Sequence, residues 1–355
     1  MSHPQAPHAR VVESLEVESL APGVVHRLAI ELVEDAMGRP IRVPVLVARG
    51  RKPGPVFGMT AALHGNELNG IPVIHRLFRD LRVDNLKGTL VAVIVANVPG
   101  LLREEREFND GQDLNHRFPG KPDGNLSDLY AHRLLHRIVN RFDALIDLHT
   151  ASFGRVNSLY LRADMNHAET AQMAYLLRPQ IILHNPPSDR TLRGAVAALG
   201  VPAVTLEIGN PQRFQEKMIK ASRAGIRAIL GARGMLPKRQ VRYGADPVMC
   251  SSSKWLYTDR GGLLEVLPDV RDRVEEGELI ATQVNAFGDL VREYRAPYDA
   301  VVIGKSVNPV GQAGARIAHL GVPAGTDHGF VRRDGAGDGP GRGDGAGLAP
   351  EEAGR

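Results

Sequence analysis

Residues 56–96 read VFGMTAALHGNELNGIPVIHRLFRDLRVDNLKGTLVAVIVA, and the fold class turns on them. Val56 to Leu63 is an apolar run that ends at His64-Gly65, which reads as a buried strand. From Asn69 to Arg82 the apolar residues Ile71, Ile74, Leu77, Phe78 and Leu81 recur at the spacing of one helix face. Thr89 to Ala96 is apolar on both alternating sets, the pattern of a strand covered on both faces in a parallel sheet. Strand, helix and strand in this order make one α/β unit.

Outward from that unit the alternation continues. Before it, Val24 to Ala48 holds two strand-like runs around the turn signal Met37-Gly38-Arg39-Pro40. After it, residues 97–125 are rich in Gly, Pro, Asp and Asn and read as one long loop, the kind that tends to be functional. Ser127 to Phe142 reads as a helix with Ser127 as its N-cap. Ala144–Leu148, Ile181–Leu183 and Val201–Ile208 follow as strands, with helices over His167–Leu177, Ser188–Leu199 and Gln212–Leu230. The fold class expected is α/β, a mostly parallel sheet with helices on both faces.

Past Leu236 the texture changes to short strand-like runs separated by Gly, Pro and Asp. Residues 1–54 are therefore read as strands joining the α/β domain, 55–235 as that domain, 236–321 as a small all-β domain and 322–355 as a disordered tail. The tail is Gly-, Asp- and Arg-rich with almost no large apolar residues. Ser251-Ser252-Ser253-Lys254 matches an SxxK pattern, but without its companion motifs it reads as a polar loop. Trp255 reads as a packing anchor of the β domain.

Composition bounds the function. The chain has 355 residues, 43% of them hydrophobic, and a formal charge of +4. That charge is mild and contains no Lys/Arg block, so it suits an anionic small molecule at least as well as nucleic acid, and no nucleic-acid partner is expected. Its one cysteine, Cys250, excludes an internal disulfide and a Cys-based zinc site. The first twenty residues lack an apolar signal region, and no stretch reaches the ~20 apolar residues of a membrane helix. The expectation is a cytoplasmic protein without a membrane partner, with homo-oligomers left open.

Four chemistry-bearing residues fall at the ends of predicted strands. His64 and Glu67 lie three apart just past one strand, His149 ends ALIDLH, and Glu207 ends AVTLE. Ligands of open α/β sheets bind at that carboxyl edge. Two histidines and a carboxylate with one open position suit a catalytic zinc ion, and a further carboxylate can serve as general base.

The motifs HGNE (64–67), DLN followed by FPG (113–115 and 118–120), DLHT (147–150) and TLEIG (205–209) resemble, in their order, the succinylglutamate desuccinylase/aspartoacylase family, distant relatives of the zinc carboxypeptidases. The resemblance implies one zinc per chain on His64, Glu67 and His149, with Glu207 as the general base. It implies that Arg106, with Arg103 as its rival, polarises the scissile carbonyl. It further implies that Asp113 orients a zinc-bound histidine, Asp147 being the alternative. Asn115, His116 and Arg117 fall where the family binds the substrate's carboxylate. The family pattern is Asn-Arg, whereas this chain has Asn115-His116-Arg117, so either His116 or Arg117 takes that place. The all-β segment resembles the family's C-terminal domain, a lid or interaction module. The activity implied is hydrolysis of an N-acyl amino acid or similar small amide. A carboxypeptidase and a non-catalytic metal-containing binding protein are the alternatives.

Overall fold

The computed structural model describes residues 8–188, 190–238 and 245–325. Strands β1 (Arg10–Val12), β2 (Val24–Glu34) and β3 (Pro40–Arg49) precede the α/β unit, which is β4 (Lys52–Ala61), α1 (Gly70–Arg79) and β5 (Lys87–Val93). Next come α2 (Val98–Arg103), α3 (Leu126–Arg137), β6 (Ala144–His149), β7 (Arg155–Asn157) and β8 (Leu159–Ala163). They are followed by α4 (Ala168–Leu177), β9 (Ile181–His184), α5 (Leu192–Ala198), β10 (Ala203–Ile208) and α6 (Glu216–Ala232).

These strands form most of one long mixed sheet, ordered β1-β2-β3-β5-β4-β6-β10-β8-β9. Its centre, β5-β4-β6-β10, is parallel, and antiparallel partners flank it. Alternate side chains point to opposite faces. Phe57, Met59, Ile146, Leu148, Val204 and Leu206 pack with residues of α1, α4 and α6 on one side. Val91, Val93, Leu145 and Ala203 pack with Tyr130, Leu134, Leu192 and Val196 of α3 and α5 on the other. The α/β architecture with helices on both faces is thus the one the sequence suggests. Gly58 is required where Phe142 lies on β4, because a Cβ there would sit 1.9 Å from the ring.

Beyond residue 236 the described residues form strands and no helix. It runs β11 (Val248–Tyr257), β12 (Gly262–Val266), β13 (Arg273–Val274), β14 (Leu279–Val284), β15 (Leu290–Arg295), β16 (Ala300–Ser306), β17 (Val310–Gly311) and β18 (Arg316–Pro323). Strands β12, β14, β15 and β17 make a separate antiparallel sheet. The others extend the long sheet, because β11 pairs in parallel with β9 and then β18, β16 and β13 follow. Leu264, Ile280 and Ala281 from the small sheet share a core with Val302, Ala318 and Leu320 from the long one.

Several local expectations are corrected. Residues 97–125 are not all loop: Asn97 caps α2, its Oδ1 accepting from Gly100 N at 2.9 Å, with proline at the helix start. Asn125, not Ser127, caps α3; Ser127 is held by Asp110 instead. Strands β7 and β8 were not foreseen, and Ser251–Lys254 belongs to β11 rather than to a loop. Strand β18 runs two residues past the expected start of the tail. The rest of that tail, from residue 326, lies outside the described residues.

Candidate active site

Strand period and register place the site. In parallel β6 and β10, Glu207 stands opposite His149 and Thr205 opposite Asp147. In antiparallel β8, Tyr160 stands opposite Glu207 and Arg162 opposite Thr205. Paired residues share a face, so these six side chains project together, while Ile146, Leu148, Leu161 and Leu206 between them enter the core.

The HGNE segment meets them from β4. The chain leaves that strand at Ala62, whose φ of 50° is left-handed and bends the backbone. Glu67 N then donates to His64 O at 3.1 Å, closing a turn that points both side chains inward. Gly65 is the close-approach position of this turn, since a Cβ would lie 1.9 Å from Gly100 C in α2. Gly65→Ala is therefore expected to cost at least the ~1–3 kcal/mol of overpacking and to shift His64. Denaturant unfolding checks it; an unchanged midpoint would mean that α2 yields freely.

His64, Glu67 and His149 are all buried, and one ligand atom from each lies within 4.8 Å of the others. His64 Nε2 faces Asp113 Oδ1 at 3.0 Å, and His149 Nε2 faces Asp147 Oδ2 at 2.6 Å. Asp147 is itself held by Thr60, whose hydroxyl donates at 2.6 Å. Each of the two carboxylates named for orienting a histidine lies against one ring, Asp113 on His64 and Asp147 on His149. With each Nε2 donating to a carboxylate, each Nδ1 presents its lone pair to Glu67. His64 Nδ1 lies 2.9 Å from Glu67 Oε1 yet makes no hydrogen bond, and His149 Nδ1 lies 2.9 Å from Glu67 Oε2. Lone pairs aimed at a carboxylate need a proton or a cation between them. This donor set fits a divalent metal ion of the zinc type.

Glu67 also accepts from Thr150 N at 3.1 Å, Ser152 Oγ at 2.8 Å and Arg106 Nη1 at 3.0 Å. Burial pushes its carboxyl up, but its contacts with His64 and His149 hold it well below its usual range. Arg106 spans Glu67 and Asp113, giving Nε and Nη2 to Asp113 Oδ2 at 3.1 and 2.8 Å and Nη1 to Ser152 as well. Of its five N–H groups four are committed and one, on Nη2, remains for a further acceptor. Arg103 is instead tied to Glu105, Asn109 and Phe108 and does not line the cavity.

Glu207 accepts from Asn157 Nδ2 at 3.2 Å and faces Arg162 Nε at 3.8 Å. Burial raises its carboxyl above the usual value; Arg162 pulls it down and Glu67 pushes it up, leaving the net upward. A carboxylate shifted upward is a better proton acceptor near neutral pH.

His64, Glu67, His149, Arg106, Asp113 and Glu207 open on one cavity of about 930 Å³. Asn115 and His116 line it, and Asn115 Oδ1 also accepts from Leu192 N, the first residue of α5, at 3.0 Å. Arg117 does not: it is held by Gln112 and by Asp128 at 3.9 Å. That corrects its expected place at the substrate. Sequence reasoning missed Asn157, Arg162, Arg193, Arg155 and Arg316, and Trp255 proves to be a cavity wall.

A family model described as the succinylglutamate desuccinylase/aspartoacylase catalytic domain matches residues 53–233. The chain belongs to the succinylglutamate desuccinylase/aspartoacylase family. It is accordingly an amide hydrolase. The N-alpha-acetyl-L-2,4-diaminobutyric acid deacetylase of Halomonas elongata is 26% identical over 309 residues, 82% of this chain and 90% of the relative. The succinylglutamate desuccinylase of Pseudomonas paraeruginosa is 30% identical over 170 residues, 44% of this chain and 51% of that one. Among solved structures, the ectoine utilization protein EutE of Ruegeria pomeroyi shares the fold with a TM-score of 0.76 at 22% identity, covering 84% of this chain and 95% of that one. A succinylglutamate desuccinylase/aspartoacylase of Rhodobacter sphaeroides gives a TM-score of 0.75 at 21% identity, covering 84% and 96%.

Proposed function

We propose that the chain is a zinc-dependent deacylase that hydrolyses the amide of a small N-acyl amino acid into a carboxylate and a free amine. The observation that carries this reading is the buried His64–Glu67–His149 set with Glu207 and Arg106 on the same cavity. The similarity to a deacetylase of acetylated diaminobutyrate over 82% of the chain favours an N-acetyl amino acid as the first substrate to try.

His64, Glu67 and His149 would hold the ion, which when bound supplies Lewis acidity toward the carbonyl and the attacking water. Glu207 Oε accepts the proton of that water as it adds to the amide carbon. The same carboxyl then delivers the proton to the departing nitrogen. Asn157, donating to Oε2, fixes the carboxylate's orientation throughout. Arg106 keeps one N–H for the oxygen that gains charge. Asp113 and Asp147 hold the two imidazoles in the tautomer that leaves Nδ1 open.

Two measurements test the reading. Purified protein should carry about one zinc per chain, since a three-ligand site with an open position binds one ion. His149→Ala should lose most of it, and full retention would overturn the ligand assignment. Zinc-loaded protein should hydrolyse N-acetyl amino acids faster than dipeptides with free amino termini. The reverse order would make the chain a carboxypeptidase.

A further inference from the structure

An N-acyl amino acid keeps one free carboxylate, and the cavity must bind it. At the position where the family carries an arginine, this chain offers His116, whose imidazole cannot make the two parallel bonds of a guanidinium fork. Arg117 is turned to Gln112 and Asp128. Five arginines line the cavity: Arg106, Arg155, Arg162, Arg193 and Arg316. Three of them are held by protein acceptors. Arg106 binds Glu67 and Asp113. Arg162 donates to Tyr160 Oη at 2.8 Å and faces Glu207. Arg193 donates to the carbonyl and side chain of Asn185 at 2.8 and 2.5 Å.

Arg155 and Arg316 differ. Among the described residues neither guanidinium makes a hydrogen bond or an ion pair. Each is held instead against the Trp255 ring, with guanidinium carbons 5.9 and 5.3 Å from its centre. That ring is fixed in turn by His319, stacked at 4.9 Å and 7°. Stacking steadies a guanidinium while leaving its N–H fork free. Two cations are thus brought to one ring, by β7 and by β18, with no anion between them. Burial and the charges of Arg316 and Arg106 pull Arg155 below its ordinary range, a tension that a bound anion relieves.

We propose that Arg155 and Arg316, braced on Trp255, form the clamp for the free carboxylate of the substrate, replacing the arginine that His116 lacks. The proposal rests on the deacylase reading, and it makes the C-terminal strands part of the binding site.

The test is binding, kept apart from turnover. Zinc-loaded protein carrying Glu207→Gln is titrated calorimetrically with Nα-acetyl-L-2,4-diaminobutyrate and with its carboxamide, which lacks only the charge. The acid should bind about 10–100-fold more tightly, the range of a hydrogen bond to a charged group. Adding Arg155→Gln and Arg316→Gln should reduce that preference to about twofold or less, while the Lys pair retains part of it. If the double variant does not fold, Arg316→Gln alone carries the test, since Arg316 is exposed; it should lose at least several-fold of the preference. A preference absent from the parent, or undiminished in these variants, overturns the clamp. In otherwise native enzyme, the same substitutions should raise KM for the acid by more than they lower kcat. If the native enzyme hydrolyses no N-acyl amino acid, the deacylase reading falls, and the titrations still judge the clamp.

Discussion

Glu207→Gln is expected to keep its zinc and to lose about 10²–10⁴-fold in turnover, the usual contribution of a general base. The substitution is close to isosteric. Its carbonyl oxygen can still accept from Asn157 Nδ2, so the 3.2 Å contact and the packing around it should survive. What is lost is the capacity to take a proton at neutral pH. Burial raises the Glu207 carboxyl, which strengthens it as an acceptor, while Arg162 opposes that rise. Affinity should change far less than kcat, because on the proposed mechanism the carboxylate acts mainly in the transition state. Zinc content and a melting curve establish that the variant is intact. If the intact variant kept more than about a tenth of wild-type turnover, above what loss of a base allows, Glu207 would not be the base. The uncatalysed remainder should be insensitive to Asn157→Ala, which in the native enzyme would loosen the carboxylate.

How much of this was legible follows from where each residue sits. His64, His149 and Glu207 each close an apolar run that reads as a buried strand, and a polar residue ending such a run announces the sheet's carboxyl edge. Asp113 and Arg106 could be named only through the motif resemblance, since their partners lie 49 and 39 residues away. Arg162 and Asn157 were hidden for a local reason. They lie on β8 and β7, of five and three residues, where polar side chains facing the cavity interrupt the apolar pattern. Trp255 and Arg316 were hidden by topology. Nothing in residues 236–323 signals that β11 will pair with β9 and carry the C-terminal strands to the edge of the cavity. Conversely, α2 was missed although its Asn-Val-Pro start is a helix signal, because Pro99 and Gly100 weighed the segment toward loop.

Arg106→Ala separates two roles that the geometry combines. Four of its N–H groups bind Glu67, Asp113 and Ser152, and the fifth is free toward the cavity. As a strut alone, Arg106 would hold Glu67 and Asp113 in place for the histidines, and its loss would appear as weaker or misplaced metal. As a donor to the carbonyl oxygen, its loss would appear in kcat with the metal retained. Removing a cation from between two carboxylates does not weaken their attraction for a divalent ion, so zinc should stay. The expected result is a fall of about 10²–10³-fold in kcat, the effect of deleting one donor from an oxyanion site. Arg106→Lys should recover only part of it, because one ammonium cannot bridge both carboxylates and still face the substrate. Zinc lost in step with activity would make Arg106 a positioning residue. The donor to the carbonyl would then be sought at Arg162, the guanidinium that already faces Glu207.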